Sequence, residues 1–419
     1  MSFNSIHEEK QRLHGSIWLW FWHLAGIAAV YSGASLASWG AVSFDEVRGW
    51  HLVVLVTIAY VTGAFMVKRL RGYPHGSHLG FLFSSITLAF LAVVAVLAFG
   101  RLYYSRPYLL SGYFISLIWL MLGYLLQTKF VGLKFCIVPG GMVERLLSIP
   151  KVTWLLLDEP KLPETLDGVV VDLHQELTAG WQRFLSNANL QKIPVYHAAV
   201  VFEAATGRVS LPHLSAGVLE RFELPHLYAA LKRLTDIGIV LFSLPLVLPV
   251  GLMTAILIRL DSPGPVLFVQ QRVGRGGGTF SMYKFRSMRT DAEVEGAKFA
   301  GNGDARITKV GKIIRKFRLD ELPQFWNVFK GDMSLVGPRP EQVVFAEQFS
   351  REIPNYNYRH LVRPGITGWA QVHQGYTEAG ETREKLEFDL YYVKYLSFWL
   401  DVLIGFKTIW TVLTGFGAR

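Results

Sequence analysis

Four long segments without a single Lys, Arg, Asp or Glu dominate the first third of the chain. They run roughly from Ile17 to Trp39, Trp50 to Val67, Leu79 to Phe99 and Tyr108 to Leu126. A helix needs about 20 apolar residues to cross the hydrocarbon core of a bilayer. The sequence therefore predicts a membrane protein with four transmembrane helices within residues 1–130.

The composition supports a lipid-facing portion and excludes several classes of protein. Of the 419 residues, 51% are hydrophobic and 18% are charged, whereas a soluble domain is about a quarter charged. The single cysteine, Cys136, cannot form an intrachain disulfide, which fits cytosolic exposure of the polar parts. A disulfide scaffold, a disordered chain and an entirely soluble enzyme are thus excluded.

Positive charge is concentrated outside the apolar segments. The 42 Lys and Arg exceed the 32 Asp and Glu and give a formal net charge of +10. Such an excess suits an anionic lipid face, a phosphate-bearing substrate or a nucleic acid. The short loops richest in Lys and Arg lie before the first, after the second and after the fourth segment. Both ends of the four-helix region are therefore predicted to be cytoplasmic.

Residues 131–225 change to short apolar runs that alternate with helix-like stretches. The runs are Leu133–Val138, Val152–Leu157, Val169–Val171 and Ile193–Tyr196. Buried runs alternating with helices predict a small Rossmann-like α/β domain with a parallel sheet. No G-x-G-x-x-G motif accompanies the Gly140-Gly141 turn, so a structural or assembly role is favoured over a ligand site.

A fifth uncharged segment, Ile237–Ile258, is long enough to cross a membrane, but its flanks argue against crossing. Lys and Arg residues lie on both sides, so the positive-inside preference draws both ends to one side. Pro245 and Pro249 interrupt the middle, where a bend is expected. The pattern predicts a re-entrant helix at about 232–260. The alternative, a fifth spanning helix, would place the rest of the chain outside the cell.

The polar region after Leu260 contains the residues that suit phosphoryl transfer. A basic run from Arg306 to Arg318 precedes the adjacent acids Asp320 and Glu321, and Arg339 follows between two prolines. Phosphoryl transfer needs cations that neutralise phosphates and, in most cases, a divalent metal. Adjacent carboxylates cannot share one helix face, so each is predicted to have a separate task.

From about Leu231 to Arg419 the chain resembles the bacterial sugar transferases, the monotopic phosphoglycosyl transferases. The matching blocks are KRLTDIG, DSPGPVLFVQQRVGRGGGTFSMYKFRSM, RITKVGKIIRKFRLDELPQFWNVFKGDMSLVGPRP, RPGITGWAQV and FDLYYVKYLSFWLD. The whole chain resembles the large form of that family, which implies a mainly helical catalytic domain at 226–419. The resemblance also implies transfer of a sugar 1-phosphate from a UDP-sugar to undecaprenyl phosphate, with release of UMP. That reaction starts exopolysaccharide, capsule or O-antigen synthesis.

The resemblance assigns roles to five residues. Asp320 would attack the sugar-bearing phosphate and form an aspartyl-phosphosugar intermediate, and Glu321 with Asp320 would hold Mg²⁺. Lys284, Arg315 and Arg339 would bind the substrate phosphates. The expected location is the bacterial inner membrane, multi-pass, with the catalytic domain facing the cytoplasm. Membrane lipid and the two substrates are the expected partners, a homodimer is compatible with the family, and no nucleic acid is expected.

Several alternatives stay open on sequence grounds. The lipid phosphate could attack directly, with Asp320 as a base or metal ligand. The chain could be a non-catalytic scaffold, or a glycosyltransferase that releases UDP instead of UMP. Trp369 and Gln371 could line the nucleotide or sugar site or simply pack in the core. The amphipathic stretch Phe398–Leu413 could lie in the membrane interface or pack on the catalytic domain.

Overall fold

The computed structural model describes residues 15–37, 50–70, 78–128, 134–149, 153–163, 166, 168–214, 224, 226–290, 304–374 and 382–414. The chain divides into two compact units, residues 1–207 and 208–419. Helices predominate in both units, and the first unit also contains a parallel sheet. The boundaries predicted after residues 130 and 225 stay predictions.

Four long helices occupy the predicted apolar windows of the first unit. They are α1 (Gly15–Ala37), α2 (Trp50–Leu70), α3 (His78–Phe99) and α4 (Arg106–Thr128). Their shared core includes Leu52, Val56, Ile86 and Tyr108, while many other apolar side chains face outward. An apolar surface around an apolar core is typical of helices in lipid.

Among the described residues, three helices are long and apolar enough to cross a membrane. They lie at Trp50–Lys68, Leu82–Phe99 and His226–Asp261. These helices fit the predicted membrane protein. The predicted count of four crossings stays a prediction, as does its orientation.

A four-stranded parallel sheet forms the rest of the first unit. Its strands are β1 (Lys134–Ile137), β2 (Thr153–Leu156), β3 (Gly168–Val171) and β4 (Val195–His197), in the order β2-β1-β3-β4. The predicted parallel pairing is therefore confirmed. The helices of this part are α5 (Val143–Leu147), α6 (Ala179–Leu190) and α7 (Ala198–Thr206). The residue before α6, Thr178, is extended.

A carboxylate fills the position where parallel sheets of this kind bind phosphates. Such phosphates lie at the start of the helix that follows β1, beside the point where the strand order reverses. Here the Asp172 side chain is buried and its Oδ2 accepts a hydrogen bond from the Met142 amide, 3.1 Å away. The Asp172 Oδ1 accepts another from the His174 amide at 3.0 Å. This arrangement favours the structural role over an anion site.

The second unit consists of helices around two small β-structures. The antiparallel hairpin comprises β5 (Leu267–Val273) and β6 (Thr279–Phe285), and the parallel pair comprises β7 (Ser334–Val336) and β8 (Gly365–Thr367). The helices are α8 (His226–Asp261), α9 (Lys309–Lys316), α10 (Gln324–Lys330), α11 (Val343–Glu352), α12 (Trp369–Gln374), α13 (Thr382–Lys394) and α14 (Phe398–Thr414).

Both ends of the long helix α8 contact the catalytic part of the same unit. Near its start, the Arg233 Nη1 donates to the Val328 carbonyl at 2.5 Å, and the Asp236 Oδ2 accepts from the Ser334 hydroxyl at 2.7 Å. At its end, the Asp261 Oδ2 accepts from the Val310 amide, 3.1 Å away. The helix is thus tied to α10 and β7 at one end and to α9 at the other.

The middle of α8 is apolar and exposed. Its buried residues are Asp236 and Val240 in the first half and Thr254 and Ile258 in the second half. Between them, Phe242 is 84% exposed, and both prolines lie within this middle part. An exposed apolar surface of this size requires lipid or a partner to cover it.

The C-terminal helix α14 packs on its own unit. Leu400, Leu403 and Ile404 are completely buried, and the Asp401 Oδ2 accepts a hydrogen bond from Lys232 at 2.7 Å. Packing on the catalytic domain, which was the alternative account of this segment, therefore describes its buried face. Ile409, with Trp410 beside it, remains exposed near the end.

Candidate active site

The β5–β6 hairpin places Lys284 beside a small apolar core. Met282 of β6 packs with Val240, Val328 and Met333, so the hairpin is fixed against α8 and α10. Successive side chains of a strand point to opposite faces, and Lys284 therefore lies on the same face as Met282, one pair further along. The Lys284 amine is consequently held at the edge of this core, close to the acidic pair.

The acidic pair lies in a 3₁₀ turn, Leu319–Glu321, directly after α9. The Thr308 hydroxyl caps the start of α9 by accepting a hydrogen bond from the Gly311 amide at 2.9 Å. After the helix, Arg318 adopts the left-handed conformation, with φ 55°. That conformation is uncommon and costly for a residue with a side chain, and strained residues of this kind cluster at functional sites. It turns the chain sharply between the basic helix and the acids.

The two adjacent carboxylates have different surroundings. The Glu321 side chain is only 6% exposed, and its Oε1 lies 2.9 Å from the Arg339 Nη2. Its Oε2 lies 3.9 Å from the Arg318 Nη1. Asp320 is half-buried, and within the described part of the chain it forms no hydrogen bond or ion pair. The contacts of the two acids therefore differ, while their separate tasks stay a prediction.

Burial and mutual charge shift the pKa values of the central groups. Burial raises the pKa of Asp320 to about 6, and the Glu321 carboxylate adds to this rise against the opposing effect of Lys284. Burial, reinforced by Arg339, lowers the pKa of Lys284 to about 7. Two groups that titrate near neutral pH and influence one another are typical of active sites.

The other four residues predicted for the site all lie within reach of the charge of Asp320. Arg315, in the last turn of α9, lowers the pKa of Asp320, as do Lys284 and Arg339. The structure thus brings together three cations, the ion-paired Glu321, and Asp320, which has no ion pair among the described residues. Their individual roles stay predictions.

Comparison with known proteins identifies the family of the chain that carries this cluster. The profile described as "Bacterial sugar transferase" matches residues 227–415. A protein of Aeromonas hydrophila, named UDP-N-acetylgalactosamine-undecaprenyl-phosphate N-acetylgalactosaminephosphotransferase, is 48% identical over 379 residues, which are 90% of this chain and 89% of that protein. The chain belongs to the bacterial sugar transferase family. It is therefore an enzyme, as the resemblance implied.

Two other relatives share a smaller part of the chain. The UDP-glucose:undecaprenyl-phosphate glucose-1-phosphate transferase of Escherichia coli (strain K12) is 46% identical over 182 residues, 43% of this chain and 39% of that protein. The exopolysaccharide production protein PSS of Rhizobium leguminosarum bv. phaseoli is 43% identical over 191 residues, 44% of this chain and 96% of that protein.

This sugar transferase site also depends on residues that the sequence did not single out. Asn327 of α10 is completely buried, its Oδ1 accepts from the Tyr283 amide at 3.0 Å, and its Nδ2 donates to the Ser281 carbonyl at 2.7 Å. One side chain thus holds the strand that carries Lys284 against the helix that follows the acidic pair. An Asn within an apolar helix pattern is the only sequence signal for it.

Changing Asn327 to Asp is expected to destabilise the protein strongly at neutral pH. The new carboxylate would face the Ser281 carbonyl without a proton to donate, in a completely buried position. Such an unsatisfied group lowers the free energy of unfolding by about 1–3 kcal/mol or more. This loss corresponds to a fall of roughly 5 °C in the thermal midpoint. Burial raises the pKa of such a carboxyl, so acidification should restore its proton and part of the stability.

Thermal unfolding of the detergent-solubilised protein at pH 7.5 and pH 5.5 measures this effect. The matched control is Asn357→Asp, at an exposed position of the same unit. An Asn327→Asp protein that is as stable as the control at pH 7.5 would contradict the bridging role.

Proposed function

We propose that the protein transfers a sugar 1-phosphate from a UDP-sugar to undecaprenyl phosphate, releases UMP, and thereby starts an exopolysaccharide, capsule or O-antigen unit. The observation that carries this proposal is the unpaired Asp320 carboxylate among Lys284, Arg315 and Arg339. A nucleophile must be available to its substrate, while cations are needed for the phosphate charge. Such an arrangement has no use in a non-catalytic scaffold.

The proposed reaction has two steps, and Asp320 enters both. A carboxylate oxygen of Asp320 forms a bond to the phosphorus that bears the sugar, and the bond from that phosphorus to the bridging oxygen of UMP breaks. A phosphate oxygen of undecaprenyl phosphate then attacks the same phosphorus, and Asp320 leaves as a carboxylate. The product is undecaprenyl diphosphate sugar. Lys284, Arg315 and Arg339 hold the phosphate oxygens during both steps.

The acidic pair also suits Mg²⁺. After burial, the Glu321 carboxylate is the second cause of the raised pKa of Asp320, so the two carboxylates lie close enough to act on the same ion. Carboxylate oxygens are the ligands that Mg²⁺ prefers, and a phosphate substrate completes such a site. We infer that Glu321 and Asp320 hold the ion, which would neutralise charge on the transferring phosphate.

N-acetylgalactosamine is the first donor sugar to test. The Aeromonas hydrophila relative, which bears that sugar in its name, matches this chain over 90% of its length. Relatives named for glucose match less than half of it. The identity of the sugar and the polymer is part of the proposal.

The membrane arrangement completes the proposal. We infer four transmembrane helices in the first unit, a Rossmann-like domain that serves assembly, and a re-entrant α8. The contacts of both ends of α8 with α9, α10 and β7 support re-entry, because a helix of 36 residues is about 54 Å long when straight. The enzyme would then lie in the bacterial inner membrane with its catalytic domain in the cytoplasm, as a monomer or homodimer.

Donor alone should leave a covalent adduct on Asp320. The enzyme is mixed with UDP-N-acetylgalactosamine without the lipid, quenched, digested and analysed by mass spectrometry, while released nucleotide is identified. We expect an N-acetylhexosamine phosphate on the peptide that holds Asp320, with UMP as product. Asp320→Asn should lose the adduct because an amide is a poor nucleophile, and Glu321→Gln should be severely impaired through metal placement.

The exposed Asp158→Asn serves as the matched control and should form the adduct normally. Absence of an adduct together with ternary-complex kinetics would replace the covalent route with direct attack by the lipid phosphate. Release of UDP would point to a glycosyltransferase instead.

Affinity for the donor should fall as pH rises through about 7. The pKa of Lys284 is lowered to about 7, so its amine is charged below this pH and neutral above it. The diphosphate of a UDP-sugar keeps its charge in this range, and it binds the charged amine better. Calorimetric titration without divalent metal should show that the affinity for the donor falls by a factor approaching about ten for each pH unit above 7.

Lys284→Gln should bind weakly at every pH and lose this dependence. The exposed Lys161→Gln is the control and should keep it. A wild-type affinity that is constant between pH 6 and pH 8.5 would contradict the assignment of Lys284.

A position at the start of α8 and a position beyond its end should be accessible from the same side of the membrane. In a Cys136→Ser background, an impermeant maleimide should label neither His226→Cys nor Arg275→Cys, between β5 and β6, in intact spheroplasts, and both after lysis. Tyr103→Cys, between α3 and α4, is the outward-facing control. Labelling of only one of these two positions in intact spheroplasts would mean that α8 crosses.

A further inference from the structure

The segment that carries Arg339 is held by an unusual set of hydrogen bonds. Residues 338–340 read Pro-Arg-Pro, so two of the three have no backbone N–H to donate. Instead, each of their three consecutive carbonyls accepts a hydrogen bond. The donors are the Gly365 amide to Pro338 at 2.9 Å, the Arg359 Nη2 to Arg339 at 2.9 Å and the Arg272 Nη1 to Pro340 at 3.1 Å.

Arg359 is itself fixed by the core of the unit. Its Nη2 and Nε donate to the Asp389 Oδ2 of α13 at 2.7 and 3.2 Å, and its Nη1 donates to the Tyr356 hydroxyl at 2.8 Å. The Arg359 side chain is 3% exposed and that of Asp389 is 2% exposed. A charge so deeply buried keeps its place only when its donors are paired, and here they are.

A continuous series of contacts therefore leads from the core to the acidic pair. Asp389 holds the Arg359 guanidinium, the guanidinium holds the Arg339 carbonyl, and the Arg339 side chain reaches the Glu321 Oε1 at 2.9 Å. The Arg359 Nη2 donates to both the Asp389 carboxylate and the Arg339 carbonyl. The Nε donates to the same carboxylate, and the Nη1 donates to the Tyr356 hydroxyl. A Lys amine, with a single nitrogen, cannot reproduce this geometry.

We propose that Arg359 is a positioning residue, which sets the Arg339 guanidinium against Glu321 and toward the donor phosphates through its hydrogen bond to the Arg339 carbonyl. The inference rests on the proposed function, because it takes Arg339 to be a phosphate-binding residue. The buried Arg359–Asp389 pair therefore affects turnover in addition to stability. Arg359 contacts no reacting group itself.

A double-mutant cycle between Arg359 and Arg339 tests this. The full-length enzyme in nanodiscs is assayed for kcat/KM with UDP-N-acetylgalactosamine as wild type, Arg359→Lys, Arg339→Ala and the double variant. We expect Arg359→Lys to lower kcat/KM by about ten- to a hundredfold, as misplacement of a binding group does. In the Arg339→Ala background the same change should cost less than about threefold, because the group that it positions is gone.

A purely structural role gives a different result. A lower fraction of folded enzyme would reduce kcat/KM by the same factor in both backgrounds, and that outcome, or full activity of Arg359→Lys, would overturn the proposal. The exposed Arg351→Lys is the matched control and should have no effect in either background. If Arg359→Lys does not accumulate, the same cycle is run with Asp389→Asn, which keeps the shape of the side chain but loses its charge.

The cycle also separates this inference from the proposed function. If Arg339→Ala kept the wild-type kcat/KM, Arg339 would not be a phosphate-binding residue, and the inference would lose its basis. If both single variants were impaired and their effects on kcat/KM multiplied in the double variant, Arg339 would remain a phosphate-binding residue. Only the positioning role of Arg359 would then be overturned.

Discussion

The ion pair between Glu321 and Arg339 is the interaction on which the site depends. It joins the 3₁₀ turn after α9 to the Pro-Arg-Pro segment after β7. With Glu321 occupied, Asp320 remains as the carboxylate without an ion pair among the described residues. A buried ion pair is strong only when its partners are held in place by further hydrogen bonds. Here Arg359 donates such a hydrogen bond to the Arg339 carbonyl.

The sequence predicted which charged residues lie together, while the roles of these residues stay predictions. Acidic and basic residues in fixed blocks predicted Lys284, Arg315, Asp320, Glu321 and Arg339, and the fold brings them together. Short buried runs also predicted the parallel sheet. These features are local in the chain, or belong to blocks that occur together in the family, and so they can be read without coordinates.

Other features depend on contacts between distant residues, which leave no local pattern. Asn327 and Arg359 look like ordinary polar residues until their partners, 46 and 30 residues away, are known. Likewise, Arg318 has no sequence signal for its left-handed backbone. The amphipathic pattern of α14 indicated an apolar face but not what covers it, and the cover proved to be its own unit.

Asp172 has a consequence for how the chain as a whole encounters nucleotide sugars. A parallel sheet with its carboxyl-end crevice open would offer a second place for a diphosphate, in competition with the catalytic unit for the same molecule. The buried carboxylate already takes the hydrogen bond of the Met142 amide there, and its charge repels an incoming phosphate. The sheet thereby keeps a strand order associated with nucleotide binding, while a carboxylate of the protein itself occupies the place of the phosphate.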